Sequence, residues 1–207
     1  MGKIYLLRHG ETDYHAQKRL LGRKDVSVNE TGREQAGRVR DYFEGIDLSA
    51  IYCSPLKRCR ETVEPTAENK GLDVRVMDEL LEVEMGEWDG RMVTELFETD
   101  KELLTKWLRS PSSVTLPGGE DFGAVRDRTA IAMEEITRRH NQDSAVLVAS
   151  HGGPIRVMIC QALKMDIDNM LRIEIDLASI SSIVFFEGGI PQTGVVTLVN
   201  DTSHLRL

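Results

Sequence analysis

Two apolar runs, Ile4-Tyr5-Leu6-Leu7 and Ala145-Val146-Leu147-Val148-Ala149, are each followed, one residue later, by His and Gly. A short, continuous apolar run reads as a strand buried on both faces, the kind found inside a parallel sheet. Ligands of open α/β sheets bind beyond the carboxyl ends of such strands. If the two strands are neighbours, His9 and His151 face one crevice. Taken singly, either histidine could equally be a buried side chain bonded to backbone. Two His-Gly turns in the same strand context weaken that reading.

The rest of the chain alternates in the same way. Lys3 to Leu7 reads as the first strand. Thr31-Gly32-Arg33-Glu34 has the form of a capping box and opens a helix to about Phe43. Ile51 to Cys53 is a buried-type strand. Ser54-Pro55 then supplies an N-cap and a first-turn proline for a helix that Pro65 kinks. Val74 to Met77 is a third strand, with Gly71 as the preceding C-cap. The stretch from about Glu82 to Pro117 is less regular and holds one helix around Met92 to Leu108. Pro117-Gly118-Gly119 is a turn. Asp121 to His140 reads as a long amphipathic helix with Phe122, Val125, Thr129, Met133 and Ile136 on one face. Gly153-Pro154 opens another helix, to about Leu163. Strands Ile180 to Phe186 and Val195 to Val199 flank Gly188-Gly189 and a loop through Gly194. The pattern argues a single domain over residues 1–207, a three-layer α/β/α sandwich on a mostly parallel sheet, with a short cap at about 82–117.

Composition limits the partners. The 207 residues carry a formal net charge of −8, which disfavours nucleic acid, so an anionic ligand needs a local basic pocket. The three cysteines, Cys53, Cys59 and Cys160, lack a CxxC spacing and suit packing in a reducing compartment. With no signal peptide and no apolar run long enough to span a membrane, the chain reads as cytoplasmic. An edge strand such as Val195 to Val199 could pair across a homodimer.

The residues that can carry chemistry suit a phosphate. Arg8 adjoins His9, and Arg58 lies in the first turns of the helix after strand Ile51 to Cys53. Guanidinium forks stay charged and bind phosphate oxygens in pairs. A helix N-terminus disfavours a cation, so Arg58 stands out from Lys57 and Arg60, which suit a solvated face. His151 leads into a helix whose free N–H groups favour an anion. Between Leu80 and Gly90 stand four carboxylates, Glu82, Glu84, Glu87 and Asp89. One of them, buried, could have a raised pKa and act as a general acid; spacing does not say which.

Several separate segments then agree. Arg8-His9-Gly10-Glu11-Thr12, Thr31 to Ala36, Ser54-Pro55-Leu56 with Arg58 and Glu61-Thr62, Glu82 with Gly86, Trp88 and Gly90, Pro117 to Glu120, and Ser150 to Gly153 occur in this order. Together the chain resembles the histidine phosphatase (phosphoglycerate mutase-like) superfamily. The resemblance implies that His9 becomes a phosphohistidine, that Arg8, Arg58 and His151 complete the phosphate pocket, and that Glu82 is the general acid. It implies neither metal nor cofactor, and a small phosphorylated metabolite as partner. His15 departs from the Asn common in the family at that position. It is expected, with Arg19, Gly22 and Gly152, to contact substrate.

The family holds phosphatases and mutases. The short Gly90 to Pro117 stretch and the Ser150 to Arg156 segment look more like the phosphatase branch, because a short cap admits water. The length, the Pro117-Gly118-Gly119-Glu120 turn with Phe122, and the Leu198 to Leu205 tail are similar to the α-ribazole phosphatases of cobalamin synthesis. The alternatives are a broad-specificity sugar or acid phosphatase, a phosphoglycerate mutase, and a non-catalytic phospho-ligand binder.

Overall fold

A computed structural model describes residues 1–140, 143–186, 190 and 194–206. Gly188-Gly189 lies outside the described residues. Chain order runs β1 (Gly2–Arg8), α1 (Asp13–Ala16), α2 (Glu30–Tyr42), β2 (Leu48–Cys53), α3 (Lys57–Lys70) and β3 (Val74–Val76). It continues with α4 (Val93–Thr99), α5 (Lys101–Arg109), α6 (Phe122–Arg139), β4 (Ala145–Ser150), α7 (Gly152–Leu163), β5 (Ile180–Phe185) and β6 (Val195–Asp201).

The six strands form one sheet in the order β3-β2-β4-β1-β5-β6. β3, β2, β4 and β1 are mutually parallel, while β5 and β6 pair antiparallel. The two strands with the His-Gly turns are therefore central neighbours, and their register sets Arg8 opposite Ser150. β6 is an edge strand, and its alternating exposure turns one of its faces to solvent.

Period-two alternation divides the core between the two faces. Ile4, Leu6, Val146 and Val148 pack with Met133 and Ile136 of α6 and with Ile155, Met158 and Ile159 of α7. Tyr5, Leu7, Leu147 and Ala149 pack with Val39 of α2, Phe43, and Cys59 and Val63 of α3. The result is the expected α/β/α sandwich. A third cluster, including Trp88, Leu96, Leu104, Trp107, Val114 and Leu116, joins the 82–117 segment to Phe122 of α6 and Val157 of α7. The three cysteines are free and buried.

Three local expectations change. The residue capping α2 is Asn29, not Thr31, because its side chain reaches the Gly32 N–H at 2.9 Å. Ser54 does not cap α3. Its hydroxyl is bonded to His151 at 2.8 Å, and Asp25 instead accepts the Lys57 N–H at 2.7 Å. α3 is continuous from Lys57 to Lys70 with Pro65 inside it. The expected helix from Met92 to Leu108 is two helices, parted at Asp100, whose φ of −132° is not helical. Its carboxylate takes hydrogen bonds from Thr99 and Arg91.

α2 lies close against the His9 turn. An added Cβ on Gly32 meets the Glu11 carbonyl oxygen, and one on Gly10 comes within 2.9 Å of the Gly32 oxygen. The same helix has an open glycine at Gly37, where an added Cβ has nothing within 4 Å. Gly32→Ala is expected to destabilise by about 1–3 kcal/mol through overpacking. Gly37→Ala is expected to be neutral, or stabilising by up to about 1 kcal/mol. Urea unfolding of both variants checks the contrast.

Candidate active site

The site begins where β1 and β4 end. The His9 N–H donates to the Ser150 carbonyl at 3.1 Å, and the His9 and His151 ring centroids stand 5.2 Å apart. Each imidazole has an assignable tautomer. His9 Nδ1 lies 2.8 Å from the Gly10 carbonyl, which can only accept, so Nδ1 carries the proton and Nε2 keeps its lone pair. His151 Nδ1 accepts from Arg58 Nε at 3.3 Å, so its Nε2–H donates to Ser54 Oγ at 2.8 Å.

The turns are held by the residues around them. The Gly10 N–H donates to Thr62 Oγ1 at 2.9 Å, and that hydroxyl donates to the Arg58 carbonyl at 2.6 Å. Thr62 thereby ties α3 to the His9 turn. Glu61 accepts the Val28 N–H, and Gln35 accepts the Glu11 N–H, both at 2.8 Å.

Arg58 is fully buried. Besides His151, it donates from Nη1 to the Lys24 carbonyl at 2.8 Å and from Nη2 to the Gly22 carbonyl at 2.7 Å. Arg8 donates from Nη1 to the Ile175 carbonyl at 2.6 Å, and its buried Nε has no partner among the described residues. Among the described residues neither guanidinium forms an ion pair. Burial pushes Arg8 down to about 10, still charged at neutral pH. A buried cation facing only neutral acceptors is costly, and an anion between these two offsets the cost.

Burial, then the Arg58 charge, holds both His9 and His151 well below the usual histidine range. Both are neutral at pH 7. Among the four candidate carboxylates only Glu82 is buried. Burial raises its pKa, against the opposing pull of the Val83 N–H at 2.8 Å and of Arg58 and Arg8. Asp89 instead serves as a brace, its two oxygens accepting the N–H groups of Gly22 and Lys24. It so orders the loop whose carbonyls collar Arg58. Glu84 lies near Arg23, and Glu87 is exposed.

A cavity of about 190 Å³ opens beside these groups, lined by Arg8, His15, Arg19, Glu82, Gly152 and Arg156, with an apolar wall that includes Trp107, Phe122, Met170 and Leu171. Of the expected catalytic residues Arg8 and Glu82 line this cavity, while His9, Arg58 and His151 are not among its lining residues; the His9 ring stands 5.1 Å from that of His15, which is. A neutral nucleophile, two guanidiniums without ion pairs and a carboxyl of raised pKa at one sheet edge can attack a phosphoryl group and protonate its leaving oxygen. Among the described residues no cluster of three or more His, Cys, Asp or Glu could hold a metal, and no helix is long and apolar enough to cross a membrane.

A family model for the histidine phosphatase superfamily (branch 1) matches residues 4–201. The chain belongs to the histidine phosphatase superfamily. Phosphoserine phosphatase 1 of Hydrogenobacter thermophilus is 34% identical over 205 residues, covering 99% of this chain and 95% of that protein. A bifunctional protein of Mycobacterium tuberculosis is 36% identical over 204 residues, or 98% of this chain. The chain spans 55% of that relative, about half the length of the first curated relatives it matches. Among solved structures, Bacillus stearothermophilus YhfR superposes with a TM-score of 0.91 at 26% identity, covering 100% of both chains. An α-ribazole phosphatase from Shigella flexneri superposes at 0.82 over 96% of both chains, but at 23% identity it speaks for the fold alone.

Within this histidine phosphatase fold the remaining expected residues fall as follows. His15 lines the cavity, its Nδ1 2.8 Å from Thr12 Oγ1 and its ring 5.1 Å from that of His9. Burial, with Arg8 and Arg58, pushes it down to about 3. Arg19 lines the cavity while bonded to Gln17 and to the Gly90 carbonyl. Gly152 lines it at the start of α7. Gly22 is not among the lining residues. Its N–H is held by Asp89 and its carbonyl by Arg58, so its place in the site is as a support for Arg58.

Sequence reasoning missed a clamp behind Glu82. Arg23 Nε and Arg128 Nη2 both donate to the Glu82 carbonyl, at 3.1 and 3.3 Å, and Glu120 bridges the two arginines. Arg128 also donates to the Glu79 carbonyl at 2.7 Å. The only sequence signal was Glu120, at the end of the Pro-Gly-Gly-Glu turn. Arg156 in the cavity wall was likewise missed.

The neutral histidines set a pH dependence of stability. The folded chain keeps His9 and His151 unprotonated where the unfolded chain, with a histidine pKa of about 6.5, takes up protons. Stability therefore falls as pH drops below about 6.5, by on the order of 1 kcal/mol per pH unit for each histidine. Glu82, raised in the fold, acts in the opposite sense: its contribution is greatest in acid and is lost as pH rises through its folded value. Urea unfolding between pH 7 and 5 is expected to show the net slope, reduced in His151→Asn. Equal stability across that range contradicts the assignment.

Proposed function

We propose that this chain hydrolyses small phosphomonoesters through a phosphohistidine on His9. The observation that carries the reading is the neutral His9, its Nε2 lone pair free, set beside the buried guanidinium of Arg58 and the half-buried one of Arg8, neither of which forms an ion pair among the described residues. His9 Nε2 attacks phosphorus as the ester P–O bond breaks, and Glu82 gives its proton to the leaving oxygen. The Glu82 carboxylate then takes a proton from water as that water attacks the phosphohistidine and the P–N bond breaks. Arg8 and Arg58 stabilise the charge on the transferring group, and His151 joins them by turning its Nε2–H from Ser54 Oγ to a phosphoryl oxygen.

Two classes of leaving group are compatible with the cavity. The apolar wall of Trp107, Phe122, Met170 and Leu171 suits a flat base and supports α-ribazole 5′-phosphate, the substrate of cobalamin synthesis that the sequence suggests. The surplus of cations suits a small phosphorylated acid, and the similarity to a phosphoserine phosphatase at nearly full length favours that class.

Phosphate release in EDTA tests the reading, with α-ribazole 5′-phosphate, O-phosphoserine, the phosphoglycerates and p-nitrophenyl phosphate. His9→Ala is expected to fall to background on every ester; turnover that survives in it overturns the mechanism. In kcat/KM, which reports the transfer to His9, Glu82→Gln is expected to lose about 10²–10⁴-fold on alkyl esters and much less on p-nitrophenyl phosphate, whose leaving group needs no proton. A preference of about a hundredfold for one ester identifies the leaving-group class.

A further inference from the structure

Arg156 takes no part in the mechanism above, yet it stands in the same cavity. It lies on α7 one helical turn beyond the first residues of that helix, in the Ser150 to Arg156 segment. Its Nε donates to the Ile173 carbonyl at 2.7 Å, which fixes the guanidinium plane. Its Nη1 and Nη2 have no hydrogen-bond partner and no ion pair among the described residues. An added Cβ on Gly152 falls 2.9 Å from Arg156 Nη1 and 3.5 Å from Arg8 Cζ and Nε. Gly152 therefore leaves just the space that lets the two guanidiniums stand together over the start of α7.

Arg8 is anchored beside it, through the Ile175 carbonyl. Carbonyls two residues apart, Ile173 and Ile175, thus hold two like charges at one wall. The carboxyl group lining the cavity is Glu82, which the reaction needs protonated. A phosphate is matched by Arg8 and Arg58, which leaves the Arg156 fork free to take a second anion. The end of a guanidinium accepts a carboxylate with two parallel hydrogen bonds.

On the phosphatase reading above, we infer that Arg156 selects esters whose leaving group carries a carboxylate. The substrate class is then a small phosphorylated carboxylic acid, bound by its phosphate at His9, Arg8 and Arg58 and by its carboxylate at Arg156.

Matched pairs isolate the carboxylate. O-phosphoserine is compared with O-phosphoethanolamine, which lacks it, and 3-phosphoglycerate with glycerol 3-phosphate, in which an alcohol replaces it. The wild-type chain is expected to favour the acid of each pair in kcat/KM by at least about tenfold. Arg156→Gln is expected to lower that ratio about tenfold, and Arg156→Lys to retain part of it. The ratio cancels any loss common to both members, so a merely structural Arg156 leaves it unchanged. An unchanged ratio in Arg156→Gln, or no preference in the wild-type chain, overturns the inference while the phosphatase reading stands. If no ester is turned over, the phosphatase reading falls and calorimetry decides the inference by itself. His9→Ala is then expected to bind the acid of each pair more tightly, and His9→Ala with Arg156→Gln to lose the difference. Equal binding of both members by His9→Ala overturns it.

Discussion

Parallel pairing of β1 with β4 is the constraint on which the rest depends. Both strands are buried on both faces, so each supplies apolar side chains to two helical layers and neither tolerates a register slip. A slip by one residue would turn Ile4, Leu6, Val146 and Val148 toward the opposite layer. The register that keeps the core also sets Arg8 against Ser150, and so places His9 and His151 side by side. The site is thus a by-product of core packing at one sheet edge, and its placement comes from the two central strands.

Onto that edge the fold brings cations without counter-ions. Arg58 is tolerated because its nitrogens meet His151 and the carbonyls of Gly22 and Lys24. Those carbonyls are offered by a loop that Asp89 orders from a distance. Asp89 hydrogen-bonds the loop and reaches the guanidinium only through space, so the charge is solvated directly by dipoles and has no carboxylate in contact. The same device recurs at Glu82, where Arg23 and Arg128 grip the backbone carbonyl and Glu120 neutralises the grip. In both cases ion pairs are kept one step away from the cavity, which preserves the field that an anion meets.

Much of this was legible in the sequence, for identifiable reasons. The apolar runs ending in His-Gly exposed the two central strands, because such runs have few other folds open to them. Alternation of strands and helices was enough for the sandwich and for the helix faces, including Phe122, Val125, Thr129, Met133 and Ile136. Local rules failed where a side chain had a distant partner. Ser54 looks like an N-cap but is bonded to His151, ninety-seven residues away in sequence. Thr31 looks like an N-cap, yet Asn29 reaches the helix first. Arg156 and the clamp of Arg23, Glu120 and Arg128 left no spacing signal, since their partners are backbone carbonyls on other elements. Gly22 was expected at the substrate for its place in the loop after His9; its carbonyl is taken by Arg58, a partner that sequence spacing does not show.

The protonation pattern that the proposed chemistry needs has one cause. Burial disfavours whichever form is charged, so in the same enclosure it lowers the pKa of an imidazole and raises that of a carboxyl. At His9 the guanidiniums act with burial. At Glu82 they act against it, and burial is the larger effect. An arriving phosphate dianion offsets the guanidinium field on both groups. It raises Glu82 further, so the proton is held until negative charge develops on the leaving oxygen. It also eases the penalty on charge at His9, which must become cationic as its Nε2 bonds to phosphorus. The substrate's own charge thus completes an electrostatic arrangement that the protein leaves open, and an uncharged analogue of the same shape would raise the pKa of Glu82 no further and leave the nucleophile less able to carry charge.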